Sequence, residues 1–292
     1  MGTLEFPVRN RALSGMRIYP RTLICREGFK NIQGIWTPDD DILKYEKNKS
    51  AGILPEKYLD PSVVQYAYNS LGYRTKEFDE FKSGEFIMCI GCSYTEGTGL
   101  NNSEVWHHLL GEHFNLPVMN LGLGGGSSDT IALNSVQYVK NKLPKPKLVI
   151  FQWPGAYRKI FVNERHRGEP YTLQSIVPSI NYSSSNLVEN LDLKYVQERY
   201  IVYKELAYVN QYADYMTANT LFTGMGVPTF NFTLNHDNEF QMNYLFDKLQ
   251  IENLILPAEG DVARDTLHPG TETQKWFAKT LMPNIGQILN AI

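Results

Sequence analysis

From Phe86 onward, short apolar runs alternate with longer stretches whose apolar residues recur three and four positions apart. Four runs read as strands: FIMCIG (86–91), PVMNLG (117–122), KLVIFQW (147–153) and VPTFNF (227–232). They are apolar almost throughout rather than alternating, the pattern of strands covered on both faces. Helical spacing predicts helices at about 103–115, 128–141, 194–223, 239–250 and 272–290. Ser127, Ser128 and Asp129 offer N-caps to the second, and Thr271, three residues before Gln274, gives the last a capping-box spacing. Pro283 should kink that last helix or start a second short one. Strands alternating with helices predict an α/β domain, a three-layer α/β/α sandwich with a mostly parallel sheet. Such sheets bind ligands beyond the carboxyl ends of their strands, so the turns after Gly91, Gly122 and Trp153 share the candidate edge.

The N-terminal stretch breaks this rhythm. TPDDD (37–41), EKNKS (46–50), Pro55 and Pro61 punctuate it, and residues 1–64 read as an irregular extension packing on a main domain of 65–292. A polar, poorly periodic segment at about 156–192, containing NERHRGEP and NYSSSN, reads as an insertion over the candidate edge.

Composition narrows the classes. The 292 residues can bury a full core, and 28 Lys+Arg against 31 Asp+Glu, with no basic run, argue against nucleic acid as a partner. Three cysteines are too few for a disulfide framework. The first twenty residues hold no apolar leader core, and no window of about 18 uninterrupted apolar residues follows, so neither a cleaved signal nor a membrane span is expected. Eighteen Tyr and 4 Trp suit large loops or an interaction surface as well as a core.

Chemistry concentrates in FIMCIGCSYTEGTG (86–99). Ser93 stands two residues beyond a strand, in a turn of small residues that leads to a helix. Such a serine either caps its turn or is held out as a nucleophile with its own N–H facing the cleft. The α/β-hydrolase elbow does not fit, because Thr95 occupies the place of its second glycine. ARDTLHPGT (263–271) sets Asp265 three residues before His268, so that one loop can supply a base and its orienter. NLGLGGGSSD (120–129) gives a bare backbone that a substrate oxygen can approach. Cys89 and Cys92 form a CxxC, but Cys89 lies inside the strand, where a buried thiol is the better account. His107, His108, Glu112 and His113 lack the HExxH order and read as a helix surface rather than a metal site. Glu96 is expected to face solvent or the N-terminal extension. Tyr94 and Trp153 suit either sugar stacking or packing under the insertion.

Together these blocks resemble the SGNH (GDSL) hydrolases. GCSYTEG (91–97) is similar to the family's GDSxTxG block, Asn120, Gly122 and Gly125 to its NxGxxG block, and Asp265 and His268 to its DxxH block. The likeness spans roughly residues 65–290, including YNSLGYRTKEF (68–78) ahead of the first block. It implies a flavodoxin-like sandwich with Ser93 as nucleophile, His268 as general base, Asp265 as its orienter, and the Ser93 and Gly125 N–H groups as oxyanion donors. Two positions depart from the pattern: Cys92 replaces the usual Asp, and LVIFQWPGAYR (148–158) sets Trp153 and Gly155 where the third block carries Gly and a donor Asn. A lost donor costs roughly 10²–10³-fold in rate, so Gln152, Arg158 or another group compensates, or activity is weak.

The resemblance implies a serine esterase or deacetylase acting on small esters or acetylated carbohydrate, with Tyr94, Trp153 and Arg158 as substrate contacts and neither metal nor organic cofactor. With few cysteines and neither signal nor span expected, a cytoplasmic or virion-associated setting is expected, and the third block resembles those of SGNH-like proteins of bacteria and tailed phages. Two alternatives remain open. One is an inactive binding or assembly module with a protein partner at the N-terminal extension, and the other a transferase passing the acyl group to a sugar hydroxyl.

Overall fold

The computed structural model describes residues 16–18, 23–156, 158–163, 171–176, 204–235, 251–255 and 260–292. Its strands are β1 (Met16–Ile18), β2 (Cys25–Arg26), β3 (Gln33–Gly34), β4 (Tyr66–Ala67), β5 (Ile87–Gly91), β6 (Val118–Gly122), β7 (Leu148–Trp153), β8 (Lys159–Asn163), β9 (Tyr171–Ile176), β10 (Thr229–Asn235) and β11 (Glu252–Ile255). Its α-helices are α1 (Ile42–Ser50), α2 (Ser93–Glu96), α3 (Trp106–Phe114), α4 (Ser128–Lys140), α5 (Lys204–Gly224) and α6 (Thr271–Asn290).

The central sheet has the order β11-β10-β7-β5-β6, every pair parallel. Strand order reverses between β5 and β7, the place where a doubly wound sheet opens a crevice at its carboxyl edge. Side-chain parity sorts the apolar runs into two layers. Ile87 and Cys89 of β5, Leu148 and Ile150 of β7, and Phe230 and Phe232 of β10 pack with Trp106 and Leu110 of α3 and Phe277, Leu281 and Ile285 of α6. Met88 and Ile90, with Val149, Phe151 and Trp153, face Ile131 and Tyr138 of α4 and Ala218 and Phe222 of α5. The result is an α/β/α sandwich with both sheet faces covered.

Residues of the N-terminal segment enter the first layer, where Phe29, Tyr45, Leu54, Tyr58 and Val64 are buried among the same side chains. The short helix α1 was not foreseen; Asp41 caps it by accepting from the Lys44 N–H at 2.9 Å. A second sheet, β2-β1-β9-β8, is antiparallel and joins that segment to the described strands of the insertion.

Several expectations shift. The helix expected at 239–250, residues 194–203 and most of the insertion lie outside the described residues. The last helix runs through Pro283 as one element from Gly270 onward. Its cap is not the Thr271–Gln274 box but Asp261, whose carboxylate accepts from the Glu272 N–H at 3.0 Å and the Thr273 N–H at 2.8 Å. Gln274 turns instead to the Trp106 N–H at 3.0 Å and ties α6 to α3.

Candidate active site

Ser93 opens α2 at the carboxyl end of β5, between β7 and the edge strand β6, and is nearly buried at 6% exposure. Two glycines make the turn sterically feasible. A Cβ on Gly122 would stand 2.3 Å from the Glu96 backbone nitrogen, and one on Gly91 would stand 2.2 Å from Thr95 Oγ1. Gly97, at φ +81°, then ends the single helical turn in the left-handed region.

Gln152 lies beneath this turn. Its Oε1 accepts from the Cys92 N–H at 3.1 Å, the Cys92 thiol at 3.1 Å and the Thr95 hydroxyl at 3.2 Å, while its Nε2 donates to the Trp153 carbonyl. Gln152 is therefore a brace that fixes the serine turn, and not the compensating donor that the sequence suggested. Cys92 thus gives both its N–H and its thiol to this brace.

The loop before α6 carries the second half of the site. Asp265 Oδ2 lies 2.6 Å from His268 Nδ1, and Asp265 Oδ1 accepts from the Leu267 N–H at 3.1 Å and the His268 N–H at 3.0 Å. With Nδ1 directed to the carboxylate, Nε2 is the basic ring nitrogen. Lys44 of α1 adds a cation at 3.1 Å from Asp265 Oδ2. Burial alone would raise the Asp265 pKa, but His268, Lys44 and the backbone donor of His268 hold it well below the usual carboxylate range.

The loop is clamped from the N-terminal segment. Asn48 donates to Thr266 Oγ1 at 2.9 Å, which supports a threonine at φ +60°, a conformation that costs a β-branched residue. The fully buried Arg264 donates to Asp40 from Nε at 3.0 Å and Nη2 at 2.7 Å, and to the Ile35 carbonyl. The Arg264 N–H in turn donates to the Gly99 carbonyl at 3.1 Å, which seats the Asp265–His268 loop on the segment leaving the serine turn. Tyr94, next to Ser93, meets the His268 ring edge to face at 5.6 Å.

Gly125, at φ +71°, forms the tip of the turn after β6, which is held by Gly126 N–H to Leu123 O at 2.8 Å and Leu123 N–H to Gly91 O at 3.0 Å. Asn120 closes that turn from below by accepting the Gly122 N–H at 2.8 Å. Arg158 is half-buried, and its charge acts on the Tyr94 phenol, whose pKa burial nonetheless pushes up to about 12.

Trp153 requires a correction. It is fully buried on the α4/α5 side, where its Nε1 donates to Asn231 Oδ1 at 2.9 Å and its ring packs on Phe151 and Tyr215. Strand parity places it with Val149 and Phe151, away from the cleft. Glu96 does not face solvent; it is 1% exposed and accepts from Arg26 of the N-terminal segment and from Tyr68.

Cys89 is a buried core thiol whose pKa desolvation raises. His107 is buried beside Trp106, and burial pushes its pKa down to about 3. His108 pairs with Glu112 along the exposed face of α3 at 3.4 Å. Among the described residues no group of three or more His, Cys, Asp or Glu could hold a metal ion, and no helix is long and apolar enough to cross a membrane.

No family model matches the chain, and no curated protein matches it in sequence. Similar solved structures include a carbohydrate esterase with divergent catalytic and non-catalytic binding functions, at 13% identity and TM-score 0.44, over 72% of this chain and 68% of the other. An acetyl xylan esterase from the rumen bacterium Butyrivibrio proteoclasticus aligns at 11% identity and TM-score 0.42, over 72% of this chain and 66% of its own. A lipolytic protein of the G-D-S-L family from Desulfitobacterium hafniense aligns at 15% identity and TM-score 0.34, over 68% and 98%.

Proposed function

We propose that the chain is an SGNH-type serine esterase that hydrolyses small esters, O-acetyl groups on carbohydrate among them, through an acyl-enzyme. The observation that carries this reading is the Asp265–His268 pair at 2.6 Å, in a loop seated on the segment that leaves the Ser93 turn. In this mechanism His268 Nε2 takes the proton of Ser93 Oγ as that oxygen attacks the ester carbonyl. Asp265, kept ionised, holds the ring in its tautomer and stabilises the imidazolium that forms.

The Ser93 and Gly125 N–H groups receive the charge that develops on the carbonyl oxygen. Collapse of the tetrahedral species breaks the bond to the leaving oxygen, which takes the proton from His268. A water, deprotonated by the same nitrogen, then releases the acid and restores Ser93. Tyr94, half-buried beside His268, supplies an aromatic face for a sugar ring.

The test is release of p-nitrophenol from its acetate ester, and of acetate from acetylated xylose, by wild type, Ser93→Ala and His268→Ala. Loss of turnover in both variants supports the esterase. Wild-type turnover no faster than that of the variants would overturn it in favour of a binding module. That alternative rests on Gly155, which presents no side chain where the resemblance calls for a donor Asn.

A further inference from the structure

The segment leaving the Ser93 turn is pressed against the Asp265–His268 loop at Gly99. A Cβ on this glycine, which has φ +80°, would stand 2.8 Å from Ala263 Cβ, 3.1 Å from the Asp265 nitrogen and 3.2 Å from the Arg264 nitrogen. Close backbone approach in the left-handed region calls for glycine. Gly99 bonds through both of its backbone groups. Its carbonyl accepts from the Arg264 N–H at 3.1 Å, and its N–H donates to the Tyr66 hydroxyl oxygen at 2.8 Å.

Tyr66 carries this contact onward. Its hydroxyl donates to Asp40 Oδ2 at 2.7 Å, and the same oxygen accepts from Arg264 Nε at 3.0 Å and Nη2 at 2.7 Å. The bonds close a circuit that runs from Gly99 to Tyr66, on to Asp40, across to the Arg264 guanidinium, and back through the Arg264 N–H to Gly99. Tyr66, Asp40 and Arg264 are at most 2% exposed, so a lost partner is not readily replaced by water. The members are also held from outside the circuit. The Arg264 guanidinium lies 4.5 Å from the centre of the Trp36 ring, and its Nη1 donates to the Pro61 carbonyl at 2.5 Å. Arg74 covers the Tyr66 ring at 4.6 Å and donates to the Gly97 carbonyl at 2.6 Å and the Leu100 carbonyl at 2.5 Å, gripping the chain on either side of Gly99.

We propose that Tyr66 is a positioning residue whose hydroxyl closes this circuit and so sets the spacing of Ser93 and His268 for proton transfer. This rests on the esterase reading above. Ser93 follows β5, whereas the Asp265–His268 loop leads into α6, and the circuit joins the two lines of chain. Acylation and deacylation both pass a proton through His268 Nε2, so a small displacement of either loop slows both steps alike.

The experiment compares two deletions of a buried tyrosine hydroxyl. Tyr66→Phe opens the circuit and keeps the aromatic ring against Arg74. Tyr73→Phe is the control, because its hydroxyl donates to the Ile24 carbonyl at 2.7 Å and accepts from Asn134 at 2.9 Å in the layer against α4. On p-nitrophenyl acetate, Tyr66→Phe should lower kcat about tenfold with KM little changed, and Tyr73→Phe should lower it less than about twofold. Asp40→Asn should act like Tyr66→Phe, and the double variant should lose less than about twofold more, since an open circuit is not opened again. Equal kcat in Tyr66→Phe and Tyr73→Phe, or losses that multiply in the double variant, overturn the positioning role. Should Asp40→Asn not fold, the two tyrosine variants decide alone.

A second readout is hydrogen exchange of the Gly99 and Arg264 amide protons, followed by NMR. Tyr66→Phe should speed exchange about tenfold at Gly99 and also at Arg264, whose N–H it does not bond, while Tyr73→Phe should change neither. Unchanged exchange at Arg264 overturns the coupling of the two loops. A wild type without Ser93-dependent turnover would overturn the esterase reading and the kinetic role with it, while exchange at Arg264 still decides whether the circuit joins the loops.

Discussion

Asp265 and Asp39 are the same side chain in two charge environments. Both are met by a cation of the N-terminal segment, Lys44 for Asp265 and Arg26 for Asp39. Among the described residues Asp265 shares Lys44 with no other acid, and it gains His268 and two backbone N–H groups. Asp39 shares Arg26 with a more deeply buried Glu96. Their pKa values accordingly move in opposite directions, down for Asp265 and up for Asp39. Burial raises both, and the charges and donors around each carboxyl decide whether that rise is overcome, as at Asp265, or stands, as at Asp39.

The largest expected effect breaks the Asp265 side of this comparison. Asp265→Asn should lower kcat on the order of 10⁴-fold on p-nitrophenyl acetate, because the amide favours the wrong histidine tautomer. A loss under tenfold would show that the ring needs no carboxylate. Next comes the cation of the other pair. Arg26→Met should destabilise the fold by about 3–5 kcal/mol in urea unfolding, because it leaves the Glu96 charge buried without a partner. Adding Glu96→Gln to it should restore part of that loss.

A smaller effect is expected from Lys44→Met. The Lys44 side chain is 21% exposed, and Asp265 retains His268 and its backbone donors. Loss of kcat/KM should stay within about tenfold, in keeping with a partly solvated pair. A loss as large as that of Asp265→Asn would make Lys44 part of the base machinery.

The smallest effect is on stability against pH, and its sign differs between the two acids. The Asp265 pKa is lower in the folded than in the unfolded chain, so its contribution is complete above about pH 4 and is lost as pH falls through the folded value. The Asp39 pKa is higher in the folded chain. Its contribution is complete below about pH 4 and is lost as pH rises through the folded value. Urea titrations should therefore show a flatter acid limb for Asp265→Asn and a flatter loss on the rising side for Asp39→Asn. The same slopes as wild type would contradict the assignment.

Much of the fold was legible because a parallel sheet covered on both faces writes its strands as continuous apolar runs. The runs ending at Gly91, Gly122 and Trp153 became β5, β6 and β7. The edge strand Glu252–Ile255 escaped notice because it is four residues long and opens on a glutamate. An apolar run also conceals which face each residue takes, and so Trp153 looked like a cleft residue until its parity with Phe151 buried it. In the site, the Asp265–His268 pair was visible because its members stand three positions apart. Arg26 and Glu96 stand 70 residues apart and Lys44 and Asp265 221 apart, contacts that only the tertiary fold creates.

The most direct measurement is rapid acid quench of wild-type protein turning over p-nitrophenyl acetate, followed by mass spectrometry of its peptides. The account predicts an acetyl group on Ser93, absent from Ser93→Ala. Turnover with no adduct at Ser93, or with the acetyl group on another residue, would contradict a serine acyl-enzyme.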